Sequence, residues 1–289
     1  MAFHHYHLLL LLLAILISLP SPSFSDDEAG FVYAGCSQLK YTPGSPYQFN
    51  VDSTLSSMAN AAILSSYSNF TSTAASPSSP AYGLFQCRGD LSLPDCQSCV
   101  RSALSQLSAL CPSAAGASLQ LQGCFIRYGN ESFLGQPDTT LVFKKCGPTT
   151  ANNIGYDPNM LSMREAALSQ LQGGSPVSTY RAGAAGNFQA MSQCVGDLST
   201  KECSDCVGVA MGQLRSSCAF AVSGDVYLGK CYARYWSYGD YGHKSSGGGG
   251  GGGDDASKNW AIVIGITAGV ILLIVFLSFI RKSASGGKK

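Results

Sequence analysis

Cysteine offers the most chemistry in this 289-residue chain, because a thiolate can bind a metal, exchange disulfides or attack a substrate. Cys96 and Cys99 are separated by two residues, as are Cys203 and Cys206. This Cys-x-x-Cys spacing occurs in zinc sites and in redox-active dithiols. Neither pair follows the βαβ pattern of thioredoxin-like proteins, and structural disulfides are the third use of such cysteines. The choice between these uses depends on the compartment.

The first apolar segment indicates secretion. Leu8 to Leu19 is too short to span a bilayer but is typical of a signal-peptide core, and small residues Ser23 and Ser25 follow at cleavage-like spacing. The n-region has histidines where Lys or Arg is usual. We predict a signal peptide over residues 1–25.

The second apolar segment indicates a membrane anchor. Trp260 to Ile280 has no ionisable residue and, as a helix, has the length of one hydrocarbon core. Arg281 and Lys282 follow it directly, and basic residues favour the cytosolic side. We therefore predict a single-pass type I plasma-membrane protein with a transmembrane helix at 260–280 and a cytoplasmic tail at 281–289.

An extracellular location favours disulfides over zinc or a redox dithiol. The chain has only 4 histidines, namely His4, His5, His7 and His243, so none falls in a predicted folded region. Without histidine, Ser-His or Cys-His nucleophile activation and the usual catalytic zinc sites are excluded. We expect no enzymatic activity, no cofactor and no metal.

Other polar residues have a structural and a functional interpretation. Asp90 and Asp197 recur beside a helix start, where a turn residue that bonds its own backbone is the simpler explanation. Arg127 and Arg234 recur after a cysteine and could grip a carboxylate or a sugar, although an arginine packed along a sheet and paired locally is commoner. We favour the structural role for all four.

The C-terminal aromatic group invites a sugar-stacking interpretation, but we favour the simpler one, in which these residues take alternate core and edge positions of a last strand. Its members are Tyr232, Tyr235, Trp236, Tyr238 and Tyr241. The chain has 18 Lys+Arg against 17 Asp+Glu, so no basic surface predicts nucleic-acid binding.

An internal repeat organises the extracellular region. Five cysteines recur with a constant displacement of 107 residues, and the remaining two, Cys36 and Cys146, become the first of each set. The first set continues with Cys87, Cys96, Cys99, Cys111 and Cys124, and the second with Cys194, Cys203, Cys206, Cys218 and Cys231. We place the repeats at 30–133 and 138–241, followed by a Gly/Ser-rich linker at 242–259.

Each repeat has the pattern of an α+β domain. Ser92 with Asp95, and Ser199 with Glu202, have capping-box spacing and predict a helix start. We predict an earlier helix over Ser53 to Ser65, with its counterpart near Leu161 to Leu171, and strands at Leu119 to Tyr128, Thr140 to Cys146 and Val226 to Tyr235. Helices followed by strands favour helices packed on one face of an antiparallel sheet.

Two further motifs concern the surface and the membrane. Asn69-Phe70-Thr71 and Asn130-Glu131-Ser132 are N-glycosylation sequons in the first repeat. Gly265 and Gly269 have the spacing of a helix-contact motif, which allows self-association of the span.

The cysteine spacing Cys-x8-Cys-x2-Cys-x11-Cys-x12-Cys, present twice, resembles the plant ginkbilobin-homologous domain, also described as a stress-antifungal cysteine-rich repeat. With a signal peptide, tandem copies and one span, the whole chain resembles the plasmodesmata-located protein family. The resemblance implies two helices on a five-stranded antiparallel sheet in each repeat. It also implies six disulfides: Cys36–Cys111, Cys87–Cys96, Cys99–Cys124, Cys146–Cys218, Cys194–Cys203 and Cys206–Cys231.

The resemblance implies a function that the residues alone do not. Members of the family lie at plasmodesmata, modulate cell-to-cell movement, are linked to callose deposition and can be engaged by viral movement proteins. The expected partners are the plasma membrane, a cell-wall glycan or apoplastic protein, and receptor-like kinases. The alternative is a lectin-like co-receptor for wall carbohydrate in defence signalling.

The sugar site of ginkbilobin does not transfer to this chain. Ginkbilobin binds mannose through an Asn after the first cysteine, an Arg seven residues after the fifth and a Glu five residues after the sixth. Here these positions hold Ser37, Ser118 and Gly129 in the first repeat, and Gly147, Asp225 and Trp236 in the second. The ligand-binding residues are therefore unknown from the sequence.

Overall fold

The computed structural model describes residues 28–149, 158–172 and 178–237. The signal peptide, linker, membrane helix and tail predicted above lie outside these residues, as do His243, Tyr238 and Tyr241. Over the part that is described, no helix is both long and apolar enough to cross a membrane.

The first repeat is one five-stranded antiparallel sheet with two helices, in the strand order β1-β4-β5-β3-β2. Its elements are β1 (Phe31–Cys36), α1 (Pro46–Ala61), β2 (Tyr67–Ser72), β3 (Ala81–Cys87), α2 (Leu93–Leu110), β4 (Ala117–Leu121) and β5 (Cys124–Gly129). Both helices pack on the same sheet and contact each other.

The second repeat has the same topology, with the strand order β6-β9-β10-β8-β7. Its elements are β6 (Leu141–Cys146), α3 (Pro158–Ser169), β7 (Tyr180–Ala185), β8 (Phe188–Cys194), α4 (Thr200–Ser217), β9 (Ser223–Leu228) and β10 (Cys231–Ser237). The predicted α+β class, with two helices on a five-stranded antiparallel sheet in each copy, is confirmed.

The helix starts follow from side-chain caps. The Ser199 hydroxyl accepts the Glu202 amide at 3.3 Å, and the Glu202 carboxylate accepts the Ser199 amide at 2.9 Å, which completes the predicted capping box. Ser92 caps α2 through the Asp95 amide at 3.3 Å. Helix α1 begins at Pro46, earlier than predicted, because Ser45 provides a third N-cap that the hydrophobic pattern does not reveal.

Two strand predictions were too long. The run from Leu119 to Tyr128 is interrupted by a turn at Gln122 and Gly123, so it forms the hairpin of β4 and β5. The run from Val226 to Tyr235 likewise forms the hairpin of β9 and β10. Both turns lie within apolar segments, and alternation alone does not mark a two-residue turn.

Three disulfides in each repeat tie helix to sheet, and no cysteine is free. Their partners are those implied by the resemblance, with Cα–Cα distances from 5.3 Å for Cys146–Cys218 to 6.1 Å for Cys206–Cys231. The other pairs are Cys36–Cys111, Cys87–Cys96, Cys99–Cys124 and Cys194–Cys203. Because most of these sulfurs lie in the hydrophobic core, the bridges and the core reinforce each other.

The two repeats pack against each other through the sheet faces that the helices leave uncovered. An apolar cluster joins them, in which Tyr33 of β1 stacks on Phe143 of β6 at 6.0 Å and meets Tyr227 edge-on at 5.7 Å. Gly89 lies against Tyr180 and Gly196 lies against Tyr67, where a Cβ would come closer than 3.0 Å to the ring. Close packing on both sides makes the tandem repeats one compact unit.

Candidate ligand-binding groove

Among the described residues, no group of three or more His, Cys, Asp or Glu side chains could hold a metal ion. All twelve cysteines are in disulfides, so no thiol is available as a nucleophile.

Asp90 and Asp197 form ion pairs with basic side chains, whereas we had predicted that each would hydrogen-bond its own backbone. Asp90 accepts a hydrogen bond from Arg88 Nε at 2.6 Å. The Asp197 side chain is only 4% exposed and forms an ion pair with Lys230, which is 1% exposed. Desolvation lowers the pKa of Lys230, and the ion pair with Asp197 opposes this effect without reversing it.

Asp197 also joins the two repeats. Its Oδ2 atom accepts the amide of Gly135 at 2.8 Å, in the segment that connects β5 to β6. Gly135 has a φ of 68°, a left-handed conformation that glycine adopts without strain. This network fixes the connecting segment on the second repeat and so defines one wall of the groove described below.

The two recurrent arginines are locally paired, but they differ in exposure. Arg234 is nearly buried and donates to Asp225 at 2.8 Å and to Gln122 of the first repeat at 2.5 Å. Arg127 keeps 30% of its side chain exposed, with its guanidinium 4.3 Å from the centre of the Phe133 ring and 3.6 Å from Asp138. Only Arg127 therefore presents unused hydrogen-bond donors to solvent.

The Arg127 side chain lines a groove of about 480 Å³ on the first repeat. The floor comes from the outer face of β1, β4 and β5, and the opposite wall comes from the connecting segment and the start of β6. Sites for small ligands usually have volumes of about 300–1,000 Å³, so the groove is of suitable size. Its polar side chains include hydroxyl, guanidinium and carboxylate groups, which favour a hydroxyl-rich ligand over an apolar one.

The groove brings together the three positions that correspond to the mannose-binding residues of ginkbilobin. Ser37, Ser118 and Gly129 all line it, although they are far apart in the sequence. Two hydroxyls and a glycine replace an amide, a guanidinium and a carboxylate. The three positions are brought together, but they do not offer the side-chain groups through which ginkbilobin binds mannose.

The corresponding positions of the second repeat are occupied by local contacts. A Cβ on Gly147 would meet Ser223, and Asp225 is bound by Arg234. The third position is Trp236, which lies 5.9 Å from the Arg234 guanidinium. The two repeats therefore share a fold but present different outer surfaces.

Trp236 lines a separate cleft of about 390 Å³ next to β7 and β8. Small residues of β7 and β8 form its floor, and Asp90 reaches it from the first repeat. Tyr180 also lines the cleft, where burial, and then the nearby Asp90, raise the pKa of its phenol. Two aromatic rings beside a carboxylate are a combination suited to a sugar ring.

A third cavity lies between the repeats and measures about 30 Å³, the volume of one water molecule. Gln86 and Gln193 are among the residues that line it. Its size excludes an organic ligand, and it belongs to the interface.

Sequence reasoning missed the contribution of the connecting segment. Phe133, Asp138 and Thr140 line the groove, but they lie at or beyond the end of the first repeat as we predicted it. No recurrent motif marks them, since the segment that joins the two repeats occurs only once in the chain. The aromatic residue Phe133, followed by Gly135 and a proline, was the one local signal of an ordered turn.

Comparison with known proteins assigns the repeats. A family model described as salt stress response/antifungal matches residues 35–131 and 145–238. The chain is 47% identical to plasmodesmata-located protein 7 of Arabidopsis thaliana over 94% of its own length and 90% of that protein.

Two solved structures share the tandem arrangement. The crystal structure of the tandem DUF26 ectodomain of the Arabidopsis thaliana cysteine-rich receptor-like protein PDLP8 superimposes with a TM-score of 0.68 at 40% identity, covering 73% of this chain and all of that one (100%). The corresponding ectodomain of PDLP5 gives a TM-score of 0.67 at 42% identity, covering 72% and 99%. Both repeats and their packing thus have experimental counterparts.

Proposed function

Because the chain belongs to the plasmodesmata-located protein family, we propose that it is a non-enzymatic membrane protein that acts at plasmodesmata. Its tandem ectodomain would contact wall components or apoplastic proteins, and one membrane helix would hold it in the channel membrane. Through these contacts it would modulate cell-to-cell trafficking. The observation that carries the proposal is the 47% identity over 90% of a plasmodesmata-located relative.

The surface of the ectodomain is consistent with binding. The groove and the cleft present hydroxyl, carboxylate and aromatic groups, and the described residues contain no free thiol or metal cluster. Disulfides and the packed interface hold these surfaces in fixed positions. Such rigidity favours recognition, because little conformational entropy is lost when a partner binds.

The finer parts of the proposal concern topology and pathway. A signal peptide at 1–25 and a span at 260–280 would place the repeats outside the cell and the basic tail inside. The effect on trafficking would be linked to callose, and viral movement proteins or receptor-like kinases would be partners that exploit the same location.

Localisation tests the proposal most directly. A C-terminal fluorescent fusion of the full chain, expressed in leaf epidermis, is expected to form puncta at shared walls that coincide with callose staining. A matched control replaces residues 260–280 with an unrelated apolar helix, which separates anchoring from targeting. Uniform fluorescence of the wild-type fusion along the plasma membrane would refute the plasmodesmal assignment.

Movement of a small fluorescent protein between cells tests the functional part. Overexpression of the full chain should change the number of neighbouring cells reached from a single transformed cell, and callose at the walls should change with it. An unchanged spread, with the fusion correctly in puncta, would reject a role in trafficking while leaving the location intact.

A lectin-like co-receptor is the second candidate, and the cleft beside Trp236 is the observation that favours it. A glycan array probed with the ectodomain should then give a polysaccharide signal that Trp236→Ala abolishes. Phe49→Ala is the matched control, since Phe49 is an aromatic residue that is 58% exposed and lies on α1. No signal on any wall glycan would exclude this candidate.

A further inference from the structure

The sequon Asn130-Glu131-Ser132 coincides with the groove of the first repeat. All three of its residues line the groove, at the turn that follows β5. Asn130 is exposed, and within the described residues its side chain makes no hydrogen bond. The first sugar of a glycan on Asn130 would therefore be attached to a residue that lines the groove.

We propose that the N-glycan of Asn130 packs into this groove, so that the groove holds the oligosaccharide of its own chain and is closed to a free ligand. The proposal rests on the secretion that belongs to the proposed function, but not on the plasmodesmal location, because it concerns a contact within one molecule. It assigns an occupant to a cavity of about 480 Å³.

The chemistry of the groove suits the first sugars of an N-glycan. These sugars are neutral and carry hydroxyl and acetamide groups that both donate and accept hydrogen bonds. Ser37 and Ser118 offer hydroxyls, Arg127 offers donors from a side chain that is 30% exposed, and Asp138 offers acceptors from one that is 32% exposed. Arg127 and Asp138 pair with each other, and the exposed carboxylate of Glu131 adds further acceptors for sugar hydroxyls at the rim of the groove.

Covalent attachment explains how a weak site can be filled. The groove lacks the amide, guanidinium and carboxylate found at these positions in ginkbilobin, so a free sugar would bind poorly. A tethered ligand instead experiences an effective concentration on the order of millimolar, which compensates for low intrinsic affinity. The same residues that make the groove unsuited to a free sugar are thus sufficient for an attached one.

The second sequon provides a control within the same molecule. Asn69 lies on β2, an edge strand, and its side chain donates to the Tyr67 hydroxyl at 2.7 Å. Asn69 is not among the residues that line the groove. A glycan at Asn69 would therefore extend into solvent.

Enzymatic release of the glycans tests the proposal. The full chain is expressed in plant cells with kifunensine, which keeps every N-glycan in the oligomannose form, and is purified in detergent. Endoglycosidase H is then applied to native and denatured protein, and site occupancy is followed by mass spectrometry of the glycopeptides. We expect release from Asn130 to be about tenfold slower than from Asn69 in the native protein, and equal after denaturation, because packed groups react only after local opening.

Variants that fill the groove make the test specific. Ser118→Trp should bring the release rate at Asn130 to that at Asn69, whereas Ser118→Ala, the matched small replacement, should leave the protection unchanged. If Ser118→Trp is not secreted, Thr140→Trp fills the groove from the opposite wall. The proposal is overturned if Asn130 carries no glycan, if native release is equal at the two sites, or if a secreted groove-filling variant retains the protection.

Discussion

Gln86 and Gln193 occupy the same position in the two repeats, and each accepts a backbone amide from the other repeat. Gln86 Oε1 accepts the amide of Gly196 at 2.9 Å, and Gln193 Oε1 accepts the amide of Gly89 at 3.2 Å. The constant displacement of 107 residues relates both the two glutamines and the two glycines. The interface is therefore approximately two-fold symmetric, although it lies within a single chain.

Removing either glutamine should weaken the interface. Gln86→Ala and Gln193→Ala each leave an amide of the opposite repeat without its acceptor, and an unsatisfied buried group costs about 1–3 kcal/mol. Urea unfolding of the secreted ectodomain, the part crystallised in two relatives, measures the loss. Gln136→Ala, at an exposed position, should change the free energy of unfolding by less than about 0.5 kcal/mol. Equal stability of all three variants would contradict the role of the glutamines.

The sequence predicted the repeat and its fold class because cysteines cannot be displaced without losing a bridge. Five equal offsets determined the boundaries, and the serine caps located the starts of α2 and α4. The interface could not be predicted in this way, because residue spacing within a repeat does not tell which surfaces of two repeats meet. Tyr33 faces Phe143, for example, and no periodic pattern identifies which sheet face meets another sheet.

The candidate site was only partly accessible to sequence reasoning. The resemblance identified Ser37, Ser118 and Gly129 as positions of interest, and the fold brings them together. Sequence gave no reason to place Asn130 or Asp138 beside them, since the path of a connecting segment depends on tertiary contacts such as the Gly135–Asp197 hydrogen bond. Burial of Lys230 was also unexpected, because lysine is almost never fully buried unless paired.

The buried pair of Lys230 and Asp197 should be essential for the stability of the second repeat. Asp197→Ala removes the acceptor of both Lys230 and the Gly135 amide, and an unpaired buried charge costs about 3–5 kcal/mol. The double variant Asp197→Ala/Lys230→Met should recover part of this loss, because it leaves no charge without a partner. Urea unfolding of the ectodomain measures both values. A double variant that is less stable than Asp197→Ala would show that the pair matters for reasons other than its buried charge.

The disulfides should contribute more to stability the longer the loop that each one closes, although the dependence on loop length is only logarithmic. Cys36–Cys111 spans 75 residues and Cys99–Cys124 spans 25. Loop entropy alone then predicts losses of about 4.5 and about 3.5 kcal/mol when each pair is replaced by alanines. Denaturant unfolding of the two double-alanine variants shows which disulfide contributes more to the free energy of unfolding. The reverse order would indicate that packing of the buried Cys99–Cys124 bridge outweighs chain entropy, since Cys36 lies at an exposed edge.

Glu165 should make the stability of the second repeat depend on pH. Partial burial alone would raise the pKa of its carboxyl, but hydrogen bonds from Arg215 and Arg164, each at 2.8 Å, outweigh this effect and lower the pKa. A carboxyl whose pKa is lower in the folded state stabilises the protein above its unfolded pKa of about 4.3, and that stabilisation is lost as the pH falls through the folded value.

The variant Glu165→Gln isolates this contribution. Because the carboxylate is 39% exposed, solvent screens the pair, and we expect the variant to be less stable by at most about 1 kcal/mol at pH 7. The difference from wild type should shrink as the pH falls below the unfolded pKa of about 4.3 and then through the lower folded pKa, because the wild-type carboxyl becomes protonated over that range. The stability difference is measured by comparing the urea unfolding midpoints of the wild-type and Glu165→Gln ectodomains at pH 7 and at acidic pH. Glu131→Gln is the matched control, since Glu131 is exposed and forms no ion pair within the described ranges. A difference between Glu165→Gln and wild type that stays constant with pH would mean that the side chain contributes through packing and not through its charge.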